Sequence, residues 1–118
     1  MIHIQLEKHI YALGEAITGS CEWIPDGDEK SQRAILIVGW RTEGRGSVDT
    51  HSIHEMSLQP SRATDFICNI SPKEHPSYDG ELLRIIWEVR VDVTEKKMGV
   101  LNRKKEQKVK RFQVTSSS

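Results

Sequence analysis

Two histidines three residues apart, His51 and His54, and two cysteines, Cys21 and Cys68, are the side chains of this 118-residue chain best suited by type to hold a metal or act as a nucleophile. A first-row metal needs ligand atoms that converge within about 2.3 Å of one point. On a strand, an offset of three sends two side chains to opposite faces, so His51 and His54, with Cys68 or another histidine, are not expected to share an ion. A Cys–His nucleophile pair needs hydrogen-bond contact and a third group that orients the base, and the linear pattern supports neither. No catalytic residue, metal ligand or cofactor is assigned, and the chain is expected not to be an enzyme.

Other residue types call for binding chemistry. Trp23, Trp40 and Trp87 could stack on sugars or single-stranded nucleic acid, but each shares parity with the apolar residues of its own segment, which predicts burial in a core. Asp26, Asp28 and Glu29 resemble part of a calcium loop without its regular oxygen spacing or its distal acidic residue; a solvated turn is the better reading. Lys96, Lys97, Arg103, Lys104, Lys105, Lys108, Lys110 and Arg111 have two readings. A hairpin would make them a basic projection able to touch phosphates, while a solvated loop would use its lysines to guard an edge strand against aggregation. The second is favoured.

The whole chain carries 17 basic and 17 acidic residues, so no bulk charge draws it to nucleic acid or to an anionic membrane. From Glu95 to Ser118, however, eight Lys or Arg stand against two Glu, leaving nine basic against fifteen acidic residues before them. An acidic body with a basic end follows. The first residues alternate instead of forming a basic then apolar leader, and no apolar run is long enough for a membrane helix. A cytoplasmic protein is expected, in which Cys21 and Cys68 are buried thiols.

The elements that must position these residues are read from period two, the mark of a pleated strand. Ile2, Ile4 and Leu6 open the pattern, and Ile17, Cys21 and Trp23 continue it, with Gly19 between them. Pro25-Asp26-Gly27-Asp28 is a turn. Ala34, Leu36, Val38 and Trp40 take one parity and Ile35 and Ile37 the other, which predicts a central or partly covered strand, closed by Gly44-Arg45-Gly46. Val48 to Leu58 is a weaker, polar strand, and Phe66, Cys68 and Ile70 form a short one. Leu83, Ile85, Trp87, Val89, Val91 and Val93 alternate with polar neighbours over a run of roughly 40 Å at about 3.3 Å per residue, long enough to expect a bend or bulge. After a lysine-rich connection, Val109 to Val114 is the last strand. About seven strands and no helical stretch predict an all-β, antiparallel, immunoglobulin-like sandwich spanning residues 1–115 as one domain, with 116–118 a disordered tail.

Two stretches carry a family resemblance. Tyr11-Ala12-Leu13-Gly14-Glu15-Ala16-Ile17-Thr18-Gly19 resembles the aromatic, Gly-Glu and Gly entry to the second strand of the arrestin family and its relatives, the retromer subunit of arrestin fold and the bacterial sporulation-control proteins. Pro76-Ser77-Tyr78, followed by Gly80 and the long strand through Trp87, is similar to that family's turn and strand. The resemblance implies an arrestin-like sandwich, with Gly14, Glu15, Gly19, Pro76, Ser77, Tyr78, Gly80 and Trp87 as its structural motif. Tyr78 is expected to offer its ring to the edge of the core, and Gly80 to sit in a turn at positive φ. Arrestins have two lobes where this chain matches one, so receptor binding and phosphate sensing are not implied.

The function expected is a non-catalytic scaffold or adaptor that docks a protein partner on a sheet face or adds its strand to a sheet edge. The alternative is an electrostatic binder of nucleic acid or anionic membrane through the basic residues 96–111, with Lys104, Lys105 and Lys108 at its centre. Ile86, on the polar parity of the long strand, and Ile35 and Ile37, on the parity opposite Leu36, Val38 and Trp40, would form a small apolar patch suited to self-association into a homo-oligomer if they lie together; the alternative is that Ile35 and Ile37 pack beneath a loop and Ile86 is a lone exposed residue.

Overall fold

The computed structural model of the chain describes residues 1–44, 48–97 and 100–116, without side chains at 97 and 100–102. Its strands in order are β1 (Ile2–Leu6), β2 (Ile10–Ala12), β3 (Ala16–Trp23), β4 (Gln32–Gly44), β5 (Thr50–Leu58), β6 (Thr64–Asn69), β7 (Tyr78–Asp79), β8 (Leu83–Lys97) and β9 (Val100–Thr115). One 3-10 turn, Glu29–Ser31, stands before β4 and is capped by the Asp28 carboxylate, which accepts from Lys30 N at 3.1 Å. Among the described residues no helix is long and apolar enough to cross a membrane.

Two sheets divide these strands. The smaller has the order β1-β3-β6; the larger has the order β2-β9-β8-β4-β5, with β7 added beside β8. Pairing is antiparallel throughout except that β2 runs parallel to β9. Parity predicted the core: Ile2 and Ile4 of β1, Ile17, Cys21 and Trp23 of β3, and Phe66 and Cys68 of β6 are buried against Leu36, Val38, Trp87, Val89, Val91 and Val93. Burial of that apolar face drives the two layers together. The long alternating strand is β8, and it pairs without a register break with β4 from Gln32↔Glu95 to Gly44↔Leu83. Leu83 keeps the parity of Trp87 but is 42% exposed, and Ile85 is half-buried, because the core ends before the strand does.

The last strand was expected at Val109–Val114 and instead fills Val100–Thr115, so the lysine-rich connection is itself strand. A partner as long as β8 offers hydrogen-bonding groups along its whole length, and that tertiary pairing outweighs the weak strand preference of lysine. Two register shifts interrupt the ladder, one between Val93 and Thr94 and one between Glu95 and Lys97, so the bulge expected of the long strand lies in its pairing with β9. The expected turn residues Arg45 and Gly46 lie outside the described residues, as do Ser117 and Ser118 of the expected tail.

Candidate interaction surface

The Gly-Glu turn fixes how the chain enters the sandwich. Gly14 stands at φ +89°, where a side chain would be strained, and its N–H donates to Ile70 O at 2.8 Å. Beside it the Glu15 carboxylate accepts from Ala12 N at 2.8 Å and pairs with Lys8 Nζ. Those two contacts, the lysine first, hold its carboxyl below the ordinary value of 4.5. Tyr11 is only 1% exposed, and its hydroxyl accepts from Lys8 N while donating to Thr18 O. The turn thereby sets β2 against the end of β9, pairing Ile10, Tyr11 and Ala12 with Gln113, Val114 and Thr115. Gly19 serves a separate need: a Cβ there would stand 2.8 Å from the Phe66 ring and closer still to Gln5 O.

Beyond the Trp87↔Phe112 pair, β8 and β9 part company. β8 goes on to pair with β7, Ile85 with Tyr78 and Arg84 with Asp79, while β9 pairs with β2. Pro76-Ser77-Tyr78 occupies the fork. Ser77 N donates to Val114 O at 2.8 Å, Val114 N donates to Ser77 Oγ at 2.9 Å, and Trp87 Nε1 donates to His75 O at 2.8 Å. The motif therefore ties both diverging strands to one short segment. In front of it lies a groove of about 750 Å³ lined by Ile10, Tyr78, Ile86, Phe112, Arg84 and Arg111. Ile10 is 55% and Tyr78 57% exposed at its mouth. Arg84 is held by Asp79 at 3.1 Å and Glu43 at 3.7 Å, whereas Arg111 has no ion-pair partner among the described residues.

Two expectations for this motif are corrected. Tyr78 does not offer its ring to the core edge; β7 is an outlying strand and its ring stays in solvent. Gly80 is not at positive φ. It sits where the Tyr78 ring passes close by, 2.5 Å from the place a Cβ would take, and its N–H closes the turn to Leu83 O at 2.9 Å.

The expected isoleucine patch does not form. Ile35 lies opposite Asp92 and Ile37 opposite Arg90, but Ile86 lies opposite Arg41, beyond the Gly39↔Glu88 pair. Charge fills the gap: Arg41 Nε stands 3.6 Å from Glu88 Oε2, Arg90 Nη1 3.7 Å from Glu88 Oε1, and Arg90 Nε donates to Asp92 at 3.1 Å. Ile86 is itself buried, at 8%, where parity alone placed it on a wet face. Ile35 remains exposed and Ile37 half-buried.

The basic residues are also divided. Lys105 is the extra residue of a bulge, since Glu106 faces Val93 and Lys104 faces Thr94. Across that bulge the faces exchange, so Lys104 shares the outer face of Thr94 while Lys108, opposite Val91, and Lys110, opposite Val89, take the core parity. They lie where the narrower sheet no longer covers the wider one, which is how lysine tolerates that parity. Lys105 bonds to Asp26 O and faces Glu95 at 3.7 Å, so it clasps the Asp26 turn instead of projecting. The single basic projection of the alternative reading, centred on Lys104, Lys105 and Lys108, is thus spread over two faces, and the favoured solvated loop is itself strand. Lys96, Arg103 and Arg111 are exposed and Lys110 half-buried.

A bulge in the β4–β5 ladder, between Val38 and Gly39, changes the histidine geometry. It sets His54 opposite Val38 and His51 opposite Trp40, one parity of β4, where an unbroken strand separates them. Among the described residues no three His, Cys, Asp or Glu side chains gather as a metal site. His51 instead packs on the half-buried Trp40 at a centroid distance of 5.2 Å, and Trp40 Nε1 donates to Glu74 at 3.1 Å. Cys21 and Cys68 are buried as expected, and burial pushes both thiols up to about 11.

No protein-family model matches the sequence, and no significant match is found among curated proteins. Among solved structures, the chain is similar to Spo0M, a sporulation control protein from Bacillus subtilis, at a TM-score of 0.55 and 16% identity. The match covers 98% of this chain and 49% of that one, so the chain spans about half the length of that protein. The fold is an arrestin-like β-sandwich, as the two sequence stretches implied.

Proposed function

We propose that this chain is a non-catalytic protein-interaction module, a cytoplasmic scaffold or adaptor whose docking site is the groove at the β8–β9 fork. The observation that supports this most is the exposure of Ile10 and Tyr78 on either side of an apolar floor containing Ile86 and Phe112. Large apolar side chains beside basic ones, Arg84 and Arg111, are the usual composition of a contact site. The arrestin-like fold is compatible with such a module.

Capture of partners from native lysate by the purified chain, at low and at high salt, tests the reading. Apolar docking predicts a captured partner that survives high salt and is lost with Ile10→Glu and with Tyr78→Glu, two exposed positions whose replacement leaves the sandwich folded. A partner lost on adding salt and on changing Lys104 and Lys108 to Glu, yet retained by the groove variants, transfers the function to electrostatic binding of a polyanion.

A further inference from the structure

β6 is a terminal strand, with β3 on one side and no strand on the other among the described residues. Ile70 N donates to Glu15 O and Ile70 O accepts from Gly14 N, both at 2.8 Å, so that residue turns its backbone toward the β3 side. The two-residue alternation of an antiparallel ladder then turns Cys68, Phe66 and Thr64 the same way. Asp65, Ile67 and Asn69 present their N–H and C=O groups outward. All three side chains are exposed, Ile67 to 64%.

Natural sheets protect such edges with lysine, proline, bulges or brevity. β9, which β2 pairs only at Gln113–Thr115, carries lysines along the rest of its edge, β5 is bulged against β4, β2 has three residues, and β1 is tied at its start to Glu106 of β9 through the Met1 ammonium at 3.1 Å. β6 has no lysine, proline or bulge: its one charged side chain is Asp65, and it pairs with β3 in unbroken register from Ala16↔Asn69 to Cys21↔Thr64.

Its sequence is chemically symmetric about Ile67. Phe66 and Cys68 flank it on the core face, and Asp65 and Asn69 flank those on the outer face, one an acceptor and the other able to donate. We propose that two copies of this chain pair β6 with β6, antiparallel, about a twofold axis through Ile67. Ile67 of one copy then faces Ile67 of the other, and each Asp65 faces an Asn69. The outward groups of all three residues find partners, and the two small sheets join into one. Such a contact is isologous and closes at two copies. It goes beyond the groove reading, because β6 shares no residue with the β8–β9 fork. With six residues per copy the interface is smaller than a standard one, so the dimer forms in a concentration-dependent way.

Sedimentation equilibrium of the purified full chain, followed from about 10 μM to about 1 mM, bounds the weak associations expected of so small a contact. The mass should rise toward the dimer for wild type and stay at the monomer for Ile67→Lys, with unchanged circular dichroism. Ile67→Pro, which removes an N–H that points away from β3, should do the same; if it unfolds, Ile67→Lys alone decides. Asn69→Asp, which sets two carboxylates opposite each other, should weaken association at least several-fold, and Asn69→Lys should strengthen it. A wild type that is monomeric throughout, an Ile67→Lys protein that associates like wild type, or equal effects of the two Asn69 changes overturns the pairing. Because only purified protein is used, a monomeric result leaves the lysate capture test, and the interaction reading, standing.

Discussion

Ser77 and Val114 are joined twice, by Ser77 N to Val114 O and by Val114 N to Ser77 Oγ. One small side chain thereby completes the pairing of β9 where β8 has turned away. Ser77→Ala deletes the hydroxyl acceptor and leaves the Val114 N–H without its partner, beside a side chain 1% exposed. The expected loss is about 1–3 kcal/mol, read as a lower urea midpoint at unchanged slope.

Trp87 is fully buried and donates to His75 O. Trp87→Ala removes its volume and leaves that carbonyl unpaired, for a loss of roughly 3–5 kcal/mol, enough to unfold a domain of ordinary stability. Leu83→Ala, four residues earlier on the same parity, should cost less than about 1 kcal/mol because the side chain is exposed. Thermal unfolding of the two variants should separate them by many degrees.

Glycine changes should also diverge. A Cβ at Gly39 would stand 2.0 Å from His51 O, an atom fixed in the ladder, so Gly39→Ala must open the β4–β5 bulge and lower the melting temperature sharply. At Gly80 the obstacle is the exposed ring of Tyr78, which can swing away. Gly80→Ala should fold and melt close to wild type, with the change appearing in Tyr78 fluorescence or ring shifts.

Glu15 gives acid sensitivity with a definite sign. Its folded carboxyl titrates below 4.5, chiefly because of Lys8 and then the Ala12 N–H. The unfolded chain therefore binds the proton first. The contribution is fully present above pH 4.5 and is lost as pH falls through the lower folded value. Glu15→Gln should flatten the stability profile in that acid limb while leaving neutral pH comparatively unaffected; an unchanged acid limb contradicts the assignment.

With both thiols raised to about 11, roughly one in a thousand is ionised at pH 8, and thiolate is the reactive form. Alkylation by iodoacetamide should be slow in native protein and complete quickly in denaturant, as mass spectrometry would show. Rapid native labelling of Cys21 or Cys68 contradicts their burial.

Much of this was legible in the sequence, because one-sided burial writes itself into parity. Trp23, Trp87 and the valines of β8 went where alternation placed them. The same rule places Ile67 on the outer face, because its neighbours Phe66 and Cys68 hold the core parity. Bulges are what period two cannot foresee: one reversed the expected relation of His51 and His54, and another sent Lys104 and Lys108 to opposite faces. The fork was hidden for a different reason. It depends on which strand lies beside which, and Ile86 is buried there despite the charged residues on its own parity.

The parallel pairing of β2 with β9 bears on how the molecule carries load. The chain enters that pair at Ile10 and leaves it at Thr115, so tension drawing those two points apart runs along both strands in opposite senses. The bridging hydrogen bonds are then loaded together, in shear, whereas a hairpin pulled from its open end yields one bond at a time. Resistance to stretching should be concentrated in this short clasp, and Ser77 reinforces it on the other side of β9. Under force, rupture is set by the rate of crossing the unfolding barrier and not by equilibrium stability. A weakened clasp should therefore lower the unfolding force more than it lowers the melting temperature.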